Sequence, residues 1–562
     1  MKRMNRLNRT MLAVAILAGS AAQAANLQLA DNDAVLNAWA EAGGKPAAVV
    51  DDGEGGTRMQ WHNGATLDAY RTEATGSALL TPKTTGDYHN LSVDSGFTRN
   101  GADGAVTEGT LGFSVVNDQS VASDDLHIGG LQLVRSNKDT RYAFGDVAAS
   151  YSQLGVNLGL RGVQADHKFG DTTVSGAVGA VAESWETLAG TVDPTSLRRD
   201  VAALKVDAPA GVAGLRASVS IATHRDDDSS IPDGLSTPAA MDGHVATAGL
   251  AWTHERLVVN LEGGSSKWQQ DGGVEGKDSA VVLDATWSGD KRSLRAGWHD
   301  IGAEYGSLSG AALGGVSEGY VAVSAQANDW LTLNGDVRHT ENEPASNTKP
   351  PLTVQPAASA DRAMLGAGIS FEKWPGAALQ LSVTGSDGEN SDASKNRNNS
   401  GAVMLSYAKD VWNTNLGWQR STVDNGSTSA QSANGDTDTL SAGIGRRWEE
   451  LAGWAVDAAL NGSSQAQSLD NGQNADSVSY TLSLACEHER LGRLDLSATQ
   501  GEVTNPVDNS TLDQQSVQAD YSHPVGSHGQ LGLYWHDVAD LQGNTGLESS
   551  DTTWGLKYSG SF

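Results

Sequence analysis

No stretch beyond residue 24 holds the roughly 18 consecutive apolar residues of a membrane helix, yet apolar and polar side chains alternate in long runs. Leu215, Ala217, Val219 and Ile221 share one face of such a run, and Arg216, Ser218, Ser220 and His224 the other. Val281, Leu283, Ala285 and Trp287 alternate with Val282, Asp284 and Thr286. Leu294, Ala296 and Trp298 alternate with Arg295, Gly297 and His299, and Leu331, Leu333, Gly335 and Val337 with Thr332, Asn334, Asp336 and Arg338. A period of two is that of a strand with one face wet and one face dry. If such strands enter lipid, they must close on themselves, because an open edge leaves backbone groups unpaired there.

The strands come as hairpins with unequal ends. Short polar turns centre near residues 139, 170, 211, 254, 290, 329, 374, 410, 449, 489 and 526, at spacings of 31 to 45 residues. Between them lie longer Gly/Ser/Asn/Asp tracts, such as Asp226–Met241, Glu341–Ala360, Gly385–Gly401 and Val423–Asp436. Short turns at one rim and long loops at the other are the build of an outer-membrane barrel. Trp252, Trp287, Trp330, Trp374, Trp412, Trp448 and Trp454 lie close to the short turns, as expected of an aromatic girdle. Eleven turns separate twelve up-and-down pairs, which predicts 24 strands from about Gly104 to Phe562. Asp87–Thr98, partnered by Thr57–Tyr70, would raise the number to 26, within an expected range of 22 to 26. The expected fold is all-β, a transmembrane antiparallel up-and-down β-barrel over residues 86–562. Residues 25–85 are expected as a short periplasmic or lumenal segment.

Residues 1–24 read as a secretory signal peptide: Lys2, Arg3, Arg6 and Arg9 precede an apolar run from Met11 to Ala18, and Ala22-Gln23-Ala24 fits a cleavage site. The whole chain carries a formal charge of −30, and the remainder without those four basic groups −34. Such a surface repels phosphate and excludes nucleic acid as a partner. One cysteine, Cys486, excludes an intrachain disulfide framework and a CxxCH haem site. At the C-terminus, Trp554, Leu556, Tyr558, Gly560 and Phe562 share one face. This pattern resembles the terminal-aromatic signal read by the barrel assembly machinery. The expected location is the outer membrane of a Gram-negative bacterium, with its lipid as surroundings.

A wall this wide cannot fill its interior with side chains. Arg216, Asn260, Glu262, Asp284, Arg295, Asn334, Asp336 and Arg338 are the candidate lumen-lining residues, and substitutions there are expected to tune ion preference. No catalytic residue, metal site or cofactor is expected. The 13 His are scattered, no HExxH or GxSxG is present, and Asp226-Asp227-Asp228 is not a DxDxDG calcium loop.

One stretch is more distinctive. Gly145-Asp146 ends a strand-like run, and Arg161-Gly162 follows in the next. The pairing resembles an early-barrel element of the fimbrial chaperone-usher pores, which are 24-stranded export barrels. Ushers are longer, with a plug domain inside the barrel and extra periplasmic domains, for which this chain has no room. The resemblance therefore implies a large export-type barrel and nothing finer. A packing role is the other reading: glycines for close strand approach or a bend, and an Asp–Arg pair across neighbouring strands. The function expected is a wide channel exporting a polymer or protein, working with periplasmic export components. A passive or selective porin, and a structural sleeve holding a lumenal partner protein across the membrane, are the alternatives.

Overall fold

The computed structural model describes residues 58–561 except 77–84, 102, 119–125, 192–193, 195, 231–239, 310–313, 344–357, 391–393, 427–433, 452, 471–472, 505–509, 527 and 544–545. The expected signal peptide and Phe562 therefore lie outside the described residues. Among those described, 27 strands run from β1 (Arg58–Gly76) to β27 (Leu547–Ser561). All but one are antiparallel to their sequence neighbours in a continuous wall. The exception is β14 (Leu308–Ser309), a two-residue strand that lies parallel to the start of β6 (Val156–Phe169). The wall thus has 26 strands. It closes where Gly64–Gly76 of β1 pairs with Ser549–Ser561 of β27, which removes both edges and satisfies the backbone without water.

The strand number falls at the upper end of the expected range, and for the reason foreseen. β1 pairs with β2 (Gly86–Asn100) along Arg58–Thr72, supplying the upstream partner that residues 87–98 needed. The expected domain boundary at residue 86 moves accordingly: Arg58–Gly76 is part of the wall and not of a periplasmic or lumenal segment. The eleven short turns fall in or within three residues of the gaps between strand ends, and the seven rim tryptophans sit beside them. Arg446 lies over two of those rings, 4.8 Å from the centroid of Trp412 and 5.0 Å from that of Trp448.

Exposure identifies the outer face. On β10 (Met241–His254), β11 (Leu257–Gln270) and β12 (Val274–Ser288), Leu250, Leu261 and Leu283 are exposed and lie side by side. Alternate residues, among them Thr247, Ser266, Ala280 and Val282, are buried. An exposed apolar band around a closed sheet is stable only in lipid. Leu261→Arg should therefore cost about 2–4 kcal/mol of barrel stability. Asn260→Arg, one position away on the other face, should cost little. The folded fraction read from heat-modifiable gel mobility checks both.

Candidate functional site

The wall departs from regularity at one place. β4 (Leu126–Ser136) pairs with β5 (Thr140–Ser150) only from Gln132↔Gly145 to Ser136↔Arg141. β6 pairs with β7 (Thr172–Val181) only from Arg161 to Phe169. Between themselves β5 and β6 stay paired from Thr140↔His167 to Ser150↔Asn157. Residues Asp146–Leu160 therefore form a hairpin that has left the wall.

Glycines mark both points of departure. Gly145 has φ +100°, and a Cβ there would lie 2.0 Å from the Leu131 carbonyl oxygen. Gly162 faces Gly179 across β6 and β7, and its Cβ would lie 2.1 Å from the Val178 carbonyl oxygen. No side chain fits at either position.

The gap in the wall is closed by carboxylates and a helix. Asp146 accepts from the Leu131 N–H at 2.7 Å and from Trp185 Nε1 at 3.1 Å, while Arg161 Nε lies 3.9 Å from it. Trp185 opens the helix α1 (Trp185–Ala189), capped by Ser184. Arg161 donates to the Ala182 and Glu183 carbonyls just before it. Glu186 accepts from the Ile128 N–H, so two edge amides of β4 that lack a strand partner find acidic ones. Burial pushes the Glu186 carboxyl up, but donors on its own backbone, on Ile128 and on Ser184 outweigh it, and the group stays below the usual carboxylate range.

The hairpin turns inward. Val147, Ala149, Leu154, Val156 and Leu160 are almost fully buried, packed with Ala203, Ala222, Val245, Ala280 and Val282. Those partners alternate with the lipid-facing residues and so face the lumen. Glu262 of β11 holds the hairpin tip: its carboxylate accepts from the Ser152 hydroxyl, from Leu154 N–H at 3.0 Å and from Gln153 N–H at 3.1 Å. Thr247 Oγ1 donates to Ser152 Oγ at 2.9 Å.

The loop after β13 (Arg292–Ile301) locks the tip from the other side. Tyr305 and Ser307 donate to the Leu154 carbonyl at 3.2 and 2.7 Å, and Leu308 N–H to that of Gly155 at 2.9 Å. Burial first, and the Glu262 charge second, push the Tyr305 hydroxyl up and keep it a donor. Trp268 Nε1 donates to the Glu304 carbonyl at 2.9 Å, and Gly306 N–H to Ser266 Oγ at 2.8 Å. The result is a dry plug of chain over one sector of the lumen.

The eight lumen-lining candidates all fall on the face opposite the exposed apolar band, but they do not form one site. Arg216 pairs with Asp207 on the neighbouring strand. Asn260 lies beside Asp284, and Arg295 between Thr286 and Ala322. Glu262 is an anchor for the hairpin, which corrects the expectation of a free residue that merely tunes ion preference. Asp284 accepts from Tyr320 at 2.6 Å and hydrogen-bonds His299 Nε2 at 3.1 Å. Arg338, 3.3 Å from Glu318, lies over the Tyr320 ring, with Asn334 and Asp336 on its own strand. Gly145, Asp146, Arg161 and Gly162 do come together, as the hinge of the hairpin. Trp554, Leu556 and Tyr558 share the outer face, beside Trp535, Leu533 and Leu531 of the preceding strand. Sequence reasoning missed Ser152, Thr247 and Tyr305. Among the described residues, no group of three or more His, Cys, Asp or Glu is placed to hold a metal ion.

A closed 26-strand sheet with a lipid-facing apolar band defines the chain as a transmembrane β-barrel of the outer-membrane type. Its structure is similar to a siderophore receptor from Pseudomonas aeruginosa (9% identity, 90% of this chain and 80% of that one, TM-score 0.36). It is also similar to the P pilus usher translocation pore (13%, 90% and 99%, TM-score 0.31) and to an anion-selective porin from Comamonas acidovorans (11%, 52% and 91%, TM-score 0.30). No protein-family model and no curated protein matches the chain.

Proposed function

We propose that this barrel is a wide outer-membrane conduit that exports a polymer, narrowed on one side by the hairpin Asp146–Leu160. The observation that carries the reading is the strand number. Barrels of 16–18 strands already leave an aqueous channel, and small-solute diffusion needs no more. Among the described residues, the chain that packs inside these twenty-six strands is the hairpin and the loop after β13, along β5–β13. The polar inner face of the remaining wall supports a wet passage. Purified full-length protein in planar bilayers should conduct, with a single-channel current above that of one 16-strand porin subunit in the same salt. Absence of ion current contradicts the conduit reading.

A further inference from the structure

The lumen wall has two unlike sectors. The sector that carries the hairpin is lined with charge: Asp207, Arg216, Asp284, Arg295, Glu318 and Arg338. The seven strands from β18 (Ala377–Asn390) to β24 (Gly492–Thr504) are not. On β18–β24, among the described residues, the inward positions above the row Arg447–Asp457–Ala485–Asp495 hold no Asp, Glu, Lys or Arg. They hold residues such as Gln380, Ser400, Gln419, Thr439, Ser463 and Thr481. Charge is not scarce on these strands. It stands on their outer face, as in Arg397–Asp387 at 3.0 Å and Arg420–Asp436 at 2.6 Å.

A second feature lies near the closure of the barrel. Tyr534 of β26 (Gly529–Gln542), Gly555, Tyr70 and Tyr88 are cross-strand neighbours in one row over four successive strands, on the inner face. A Cβ on Gly555 would meet the Tyr534 ring at 2.6 Å and Tyr70 Cβ at 2.7 Å. The Tyr534 ring therefore lies across the glycine, with its hydroxyl donating to Asp68 at 2.8 Å. The Tyr70 and Tyr88 rings stand 5.3 Å apart. All three rings are only half-buried.

We infer that the cargo is an uncharged polyhydroxylated polymer, a neutral glycan chain. This rests on the conduit reading and names its substrate class. Hydroxyl and carboxamide side chains both donate and accept, as do sugar hydroxyls. Half-buried tyrosine faces beside a carboxylate match a pyranose, which has C–H groups on its faces and hydroxyls at its edge. Among the described residues, a polyanion finds no cation on the inner face of β18–β24 above Arg447 and Arg493, and beside the tyrosines Lys557 stands across from Asp68. It also meets a chain of net charge −34 outside its first 24 residues. Uncharged contacts are individually weak, and transit requires contacts weak enough to release.

The test uses the full-length protein in planar bilayers, with a neutral gluco-oligosaccharide and an oligogalacturonate of equal length as probes. The neutral probe should interrupt the current reversibly, at least tenfold more often than the anionic one. Tyr70→Ala with Tyr534→Ala should shorten each interruption several-fold. Ser400→Glu with Thr439→Glu, placed on open wall away from the closure, should reduce their frequency several-fold while ion current persists. An open pore that neutral sugars never interrupt, or that both probes interrupt equally, overturns the inference and leaves the conduit reading standing. A protein that passes no ions overturns both.

Discussion

Gly162→Val should abolish barrel assembly, and Gly145→Ala should come close to doing so. At Gly162 the added Cβ meets a backbone oxygen of β7 at 2.1 Å, where no side chain can move aside. The two strands would have to part at the end of their shared ladder, where the hairpin leaves the wall, and an opened ladder in lipid leaves amides with no partner. At Gly145 the positive φ costs a residue with a Cβ about 1–3 kcal/mol, before the overlap with Leu131 is counted. Gly159 lies in the same hairpin, and nothing stands within 4 Å of its Cβ, so Gly159→Ala should fold normally. Outer-membrane yield and heat-modifiable mobility of the three variants provide the comparison. Equal yields would mean that the close approach of β6 and β7 is not structural.

Glu262→Ala should widen the pore. The change strips two backbone amides and a hydroxyl at the hairpin tip of their acceptor. Each orphaned group costs about 1–3 kcal/mol, and that loss falls on the hairpin rather than on the wall, because the β11 ladder remains intact. The expected result is a higher mean conductance with frequent transitions between current levels, and an unchanged folded fraction. Glu262→Gln keeps an acceptor oxygen and should fall between the two. Conductance identical to that of the unaltered protein in both variants would remove Glu262 from any part in holding the lumen narrowed.

Much of this architecture was legible because a strand's period is local. Val219 and Ile221 alternate with Ser218 and Ser220 whatever lies beside them, and each polar turn interrupts the pattern where the chain reverses. The inward hairpin was not legible in that way. Val147, Ala149, Leu158 and Leu160 keep the same alternation whether their strands run in the wall or leave it. What differs is the lost pairing with β4 and β7, a contact between distant residues. A trace was present. Ala203, Val245 and Val282 stand at inward positions, where a wet wall would carry polar groups, and such apolar residues imply a cover. The glycines of the Gly145-Asp146 and Arg161-Gly162 pairs pointed to a bend, and the bend is what their geometry produces. That Glu262 would be an anchor was invisible, since its partners in the chain lie about 110 residues away.

A disulfide between the hairpin and the wall tests the arrangement most directly. Ser152 Oγ and Thr247 Oγ1 lie 2.9 Å apart, on the hairpin tip and on β10, and both are short side chains, so thiols placed there stand close to one another. The variant would carry Ser152→Cys and Thr247→Cys, with the native Cys486 changed to Ser. With the hairpin folded into the lumen, the two thiols should couple in the assembled barrel under mild oxidant, and reduction should reverse the resulting shift in gel mobility. A folded barrel in which both thiols stay free would contradict the inward hairpin, and with it the narrowed lumen.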